Sequence, residues 1–227
     1  MGNRLQVTGN SKGVLSNRLH GGVLCSLIIL FIASGCMKEK EKPLPIFGER
    51  EVVGTDTVYH RIAPFQFVNQ DSVVVTAETF DNKIYVADFF FTSCRTICPI
   101  MKTQMLRVYD TLNNEPDVLI LSHTIDPNYD TVGLLHDYAE RLGVKSTKWH
   151  FVTGNKDSIF NIAQKSYFAT AMEDSSEPDG RIHSGAFLLI DKEKRIRGKY
   201  DGTNEEDVNR LIGDIQRLKE EYEGSKQ

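Results

Sequence analysis

Cysteine is scarce in this chain, with four among 227 residues, Cys25, Cys36, Cys94 and Cys98. No apolar run reaches the roughly 20 residues that a membrane-spanning helix needs; the longest is the dozen from Val23 to Ser34. There is no basic patch with interleaved aromatics, which argues against a nucleic-acid partner. No internal repeat and no low-complexity tract appears. Acidic residues are absent from the first 35 positions, although the chain as a whole carries 31 Asp and Glu against 27 Lys and Arg. That local absence sets the N-terminus apart.

Arg4, Lys12 and Arg18 precede VLCSLIILFIAS (Val23 to Ser34) and then Gly35-Cys36. A basic lead, an apolar core of about a dozen residues and a small-residue cleavage site describe a secretory signal. An uncleaved N-terminal anchor is the rival reading. Ala33-Ser34-Gly35-Cys36 resembles the lipobox of bacterial lipoproteins, with Ala33 where Leu is usual. The resemblance implies that Cys36 is lipidated and becomes the mature N-terminus. The protein would then be exported and membrane-anchored, facing the periplasm or another extracytoplasmic space. Residues 1–35 are thus assigned to the signal, 36–58 (Cys36 followed by MKEKEKP) to a charged tether, and 59–227 to one globular domain. Losing the signal removes three bases and no acid, which takes the formal charge from −4 to −7.

Export leaves Cys94 and Cys98 as the reactive thiols in an oxidising compartment. A permanent bridge closing so short a loop restricts the unfolded chain only modestly. The pair therefore reads as functional rather than structural.

The apolar pattern orders the elements. FQFVN and VVV flank a turn at Gln70-Asp71-Ser72, as in a hairpin. KIYVADFFF and DVLILSHTI are nearly continuous apolar runs, as in strands buried on both faces. Met101, Met105, Val108, Tyr109 and Leu112 recur with helical spacing, as do Leu134, Leu135, Tyr138 and Leu142. WHFVTG is a further strand and Ile159 to Ala163 belongs to a helix. A polar loop, MEDSSEPDGRIHS, leads into the strand AFLLID and a hairpin through KEKR to IRGKYDG. Thr203 and Glu206 have the spacing of a capping box, ahead of a stripe of Val208, Leu211, Ile212, Ile215 and Leu218. The result is an α/β fold: a thioredoxin-like sandwich with a central mixed sheet, flanking helices, an N-terminal hairpin and an inserted loop before the strand that follows His183.

Within FTSCRTICPIM, Pro99 fits the first turn of a helix, which places Cys98 at the helix start and Cys94 in the preceding loop. Both sulfurs then face the positive end of the helix dipole, which favours thiolate. A thiolate is both a nucleophile and a soft-metal ligand, and CxxxC permits a disulfide or a metal clamp. His183, in RIHSGAFLLID, ends the polar loop at a junction where thioredoxin-like oxidoreductases typically carry a proline. Two thiolates and an imidazole suit copper in either oxidation state; zinc competes on ligand type.

Four segments, DFFFTSCRTICPIM, TIDPNYDT, IHSGAFLLID and RIRGKYDG, resemble the Sco/SenC family of copper chaperones, in the family's order and across most of the exported domain. The resemblance implies a thioredoxin fold outside a membrane and copper, as Cu(I) or Cu(II), held by Cys94, Cys98 and His183. It also implies delivery of copper to, or reduction of, the dinuclear copper site in subunit II of cytochrome c oxidase, or service to another exported cuproprotein. Arg95 departs from the family, which often has Pro or Ser after the first cysteine. A thiol-disulfide oxidoreductase, with Cys94 and Cys98 as its catalytic pair and no metal, is the alternative. A peroxidase on the same fold lacks the residues that would activate peroxide.

Asp126 matches a family position near the metal and equally suits an Asp-Pro turn. His123, pointing away from Asp126 on a regular strand, and His150 read as structural histidines, and His136 as solvent-exposed. Met101 and Met105 read as core, and Met172 lies in the loop before His183.

Overall fold

The computed structural model describes residues 42–169, 171–173, 181–183 and 185–224. The signal, Cys36, most of the polar loop and the side chains of Met172 and His183 lie outside the described residues. In chain order, β1 (Arg50–Val53) and β2 (Asp56–Tyr59) pair as a ribbon, followed by β3 (Gln66–Asn69), β4 (Val74–Thr76) and a 3-10 turn over Ala77–Phe80. Next come β5 (Ile84–Phe90), α1 (Cys98–Leu112), β6 (Val118–Thr124), α2 (Val132–Leu142), β7 (Trp149–Thr153) and α3 (Lys156–Lys165). The chain continues through β8 (Ala171–Glu173), β9 (Arg181–His183), β10 (Ala186–Ile190), β11 (Ile196–Asp201) and α4 (Glu205–Gly224). No helix among the described residues is long and apolar enough to cross a membrane.

Seven strands form one mixed sheet in the order β11-β10-β5-β6-β7-β3-β4. The central β5, β6 and β7 run parallel, and their neighbours on both sides are antiparallel. Every residue of β5 and β6 is buried, as unbroken apolar runs require when helices cover both faces. Phe90 and Phe151 point toward α2, where Phe90 stacks on Tyr138 and Phe151 meets it edge to face. Phe89 and His123 point the other way, against Tyr167.

Local chemistry sets the ends of several elements. The Asn69 carboxamide oxygen accepts from the amides of Asp71 and Val73, both at 3.0 Å, and fixes the β3–β4 turn. Gly143 closes α2 with φ +69°, a left-handed conformation that glycine adopts without steric cost. In the β10–β11 turn the Asp191 carboxylate accepts from the amides of Glu193 and Arg195.

Three local expectations change. Asn204, not Thr203, caps α4: its side-chain oxygen accepts from the amides of Glu206 and Asp207 at 2.8 and 3.2 Å. Thr203 is instead turned back to donate its hydroxyl to Asp201 at 2.6 Å. The polar loop begins and ends as an antiparallel ribbon, with Ala171 opposite His183. The stretch assigned to the tether also holds sheet structure, with β1 at Arg50–Val53 and the start of β2 at Asp56. Leu44 is buried there, and the carbonyls of Leu44 and Pro45 accept from the Arg197 guanidinium at 2.7 and 3.0 Å.

Candidate functional site

Parallel β5 and β6 bring two loops together at their carboxyl ends, the place where open α/β sheets gather ligands. β5 delivers Phe91, Thr92 and the cysteine loop; β6 delivers Asp126 and the turn that leads to α2. The Cys94 amide donates to the Phe91 carbonyl at 3.3 Å, curling the loop back toward the strand. α1 opens at Cys98 with Pro99 in its first turn, where a missing N–H costs nothing.

Cys94 and Cys98 are reduced thiols, not joined in a disulfide, and are 6% and 3% exposed. The Thr96 hydroxyl lies 3.5 Å from the Cys94 sulfur. A hydrogen bond with Cys94 and then burial push the Cys98 thiol far above the ordinary cysteine range; the Phe91 backbone and the positive charge of Lys102 pull it down. The helix start therefore does not leave two free thiolates, as its dipole alone suggests. Two anions sharing a dry site repel, and one proton, one bond or one cation between them relieves it.

Both sulfurs face a cavity of about 300 Å³ that Pro99, Lys102 and Tyr138 also line. Its wall is braced by Asp130, which is fully buried. The Asp130 carboxylate accepts from the Thr92 amide at 3.1 Å, from the Thr92 hydroxyl and from the Thr124 hydroxyl. Burial raises the Asp130 carboxyl, while those hydrogen bonds hold it partly down.

Asp126 begins a turn, its carbonyl accepting from the amides of Tyr129 and Asp130 at 3.0 and 2.8 Å. That is the turn-initiating half of the sequence expectation. His183 closes β9. Two residues on, a Cβ placed on Gly185 would stand 3.6 Å from the Ile97 side chain, so the chain leaving β9 passes against the residue that precedes Cys98. Among the described residues no group of three or more His, Cys, Asp and Glu is placed to hold a metal. The two described donors are soft sulfurs with a shared opening, a set that suits a soft cation.

His123, His150 and His136 fall as the sequence suggests. His123 is buried among Phe65, Phe67, Phe89 and Tyr167, and burial alone drives its imidazole down to about 3. His150 is driven by burial to about 4. His136 is half exposed beside Asp71 at 3.2 Å, and that contact raises it. Met101 and Met105 are core residues. Asp130 and Lys102 are the site residues that sequence reasoning missed. A signal existed for Lys102: a charge four residues after Cys98 falls on the apolar stripe of α1.

A mixed sheet between helices, with paired cysteines at the first parallel strand-to-helix junction, defines a thioredoxin-like protein. The chain belongs to the SCO1/SenC family, whose model matches residues 54–220. It is 32% identical over 162 residues to the SCO1 protein homolog of Bacillus subtilis (strain 168), covering 70% of this chain and 83% of that one. The crystal structure of a SCO1/SenC family lipoprotein from Bacillus anthracis is similar at 28% identity and a TM-score of 0.64, over 70% of this chain and 95% of that one. BsSco, a member of the Sco family of cytochrome c oxidase assembly proteins in which a disulfide switch was identified, is similar at 31% identity and a TM-score of 0.62, over 70% and 93%.

Proposed function

We propose that this protein is a copper metallochaperone, anchored outside a membrane by a lipid on Cys36, which binds one copper ion through Cys94, Cys98 and His183. The observation that carries the reading is the pair of reduced, buried, mutually hydrogen-bonded thiols at the mouth of one cavity. The soft sulfurs supply the affinity for Cu(I), and an imidazole makes Cu(II) tolerable. Gly185 packed beside Ile97 supports the placing of His183 in this set, because it ties the end of β9 to the cysteine loop. Asp126 is a candidate for a supporting place beside the metal. The recipient is the dinuclear copper site in subunit II of cytochrome c oxidase or another exported cuproprotein. Export on a lipid anchor accords with the Bacillus anthracis relative, itself a SCO1/SenC family lipoprotein.

Reconstitution of the exported domain with Cu(I) and with Cu(II), followed by metal counting, tests the reading. One ion per chain is expected, lost in Cys94→Ser and in Cys98→Ser. A thiolate-to-Cu(II) charge-transfer band should disappear in His183→Ala; full copper retention with an unchanged band in that variant removes the histidine from the site.

A second reading follows from the same thiols. Cys94 and Cys98 can close a disulfide while a partner disulfide opens, two electrons and two protons passing to the partner. A disulfide switch was identified in BsSco, which accords with redox chemistry at the pair. Fast, catalytic exchange by copper-free protein favours this reading; slow exchange beside tight copper binding favours the first.

A further inference from the structure

Lys102 lies one helical turn beyond Cys98 on the same face of α1. It is 6% exposed, and its ammonium has no hydrogen-bond partner. Four rings surround it instead, with centres at 4.4 Å (Phe90), 4.7 Å (Phe151), 5.0 Å (Tyr138) and 5.0 Å (Trp149). Stacked ring faces hold a cation well when water is excluded. Burial pushes the Lys102 ammonium down, and the buried carboxylates Asp88, on β5, and Asp130, after β6, together with the Cys98 sulfur, pull it back up. Asp88 accepts from the Ser122 hydroxyl, which accepts in turn from the Trp149 ring N–H at 2.8 Å. The cage wall is thereby tied to the carboxylate that faces the ammonium. A methionine or leucine would fill this position in the apolar stripe without burying a charge. The lysine therefore calls for another explanation, and its place on the wall of the cysteine cavity supplies one.

We propose that Lys102 is a fixed counter-cation for the two sulfurs, and that it biases bound copper toward the cuprous state. The inference rests on the copper-binding reading given above. Two thiolates around Cu(I) carry a net −1, and around Cu(II) they carry none. A positive charge caged nearby lowers the energy of the anionic state and leaves the neutral one almost unchanged. Oxidation removes one electron from the metal to an external acceptor, so Lys102 opposes it. The residue acts through the field at the sulfurs and is not itself a ligand.

The test uses the exported domain loaded with copper. Cu(I) and Cu(II) dissociation constants are measured separately by chelator competition, and the midpoint potential by titration against a mediator couple. In Lys102→Met the affinity for Cu(I) should fall about tenfold relative to Cu(II), which lowers the one-electron midpoint by about 59 mV. Lys102→Gln, a second neutral variant, should shift it the same way and is read alone if Lys102→Met does not fold. Lys102→Arg, which keeps the charge, should stay within about threefold of the parent. Neutral variants that bind both ions in the parental ratio would make Lys102 a packing residue and overturn the proposal. Parent protein that takes up no copper overturns the metallochaperone reading and this inference with it, and the metal count shows that before any ratio is measured.

Discussion

Thr92 and Asp130 are joined twice. The Thr92 amide donates to the Asp130 carboxylate at 3.1 Å, and the Thr92 hydroxyl donates to its other oxygen. The Thr124 hydroxyl, at the end of β6, donates to the same carboxylate. One buried side chain therefore laces the loop that carries Cys94 to the end of the neighbouring strand.

Asp130→Asn should weaken this brace. An amide keeps one acceptor oxygen and adds two donors, so a Thr hydroxyl or the new NH₂ is left unmatched in a dry site. The cost is about 1–3 kcal/mol of stability, read as a lower midpoint in urea unfolding. Thr92→Val should cost a similar amount, and the double variant less than the sum, because both changes break the same contact.

Much of the frame was legible before any coordinates. Continuous apolar runs marked β5 and β6 as buried strands, and period 3.6 marked α1 and α4. Pro99 marked the helix that begins at Cys98. Other features depend on contacts distant in sequence. Asp130 lies 38 residues from Thr92, and nothing local distinguishes it from Asp126 four positions earlier. The β8–β9 ribbon arises inside a stretch whose composition is that of a loop. The cap of α4 turned on competition, since Asp201 captured the Thr203 hydroxyl and left Asn204 to serve the helix.

Cys98 should alkylate slowly in the folded, metal-free protein. Its thiol is shifted upward by the hydrogen bond with Cys94 and by burial, and the reactive species is the thiolate. Iodoacetamide at pH 8, with labelled positions mapped by mass spectrometry, should modify Cys98 at least about tenfold more slowly than the same residue in urea. Equal rates in the two conditions would contradict the burial and coupling described above.

His123 gives the fold an acid-side weakness. Its folded value is about 3, against about 6.5 in an unfolded chain. Above pH 6.5 neither state holds the proton and stability is unaffected. As pH falls toward 3, the unfolded state binds the proton first, so stability is lost across that window at up to about 1.4 kcal/mol per pH unit. His150, at about 4, adds to the loss over the upper part of the same range. His123→Phe should flatten the pH dependence of unfolding between pH 6.5 and 4. At pH 7 it should also raise stability, because both imidazole nitrogens are buried without partners. An unchanged slope would remove His123 from the account.

Arg197 fastens the segment that enters the domain. Its guanidinium is buried, donates to the carbonyls of Leu44 and Pro45, and pairs with Asp191 at 3.2 Å and Glu221 at 2.6 Å. Glu221 also accepts from the Leu44 amide at 2.6 Å, so one ion pair grips both sides of the same residue. Arg197→Met keeps the volume and removes the charge. It leaves Glu221 without its closest cation, although Asp191 retains Arg195 at 2.8 Å. Breaking a buried pair by removing one partner typically costs about 3–5 kcal/mol. The loss should be larger than for Arg210→Met, whose pair with Asp207 is exposed and is worth about 1 kcal/mol or less. Limited proteolysis locates the effect: cleavage between Pro43 and Phe47 should rise in Arg197→Met while the sheet interior stays protected. If cleavage there is unaltered, the segment is held by Leu44 packing alone and the charge network contributes little to it.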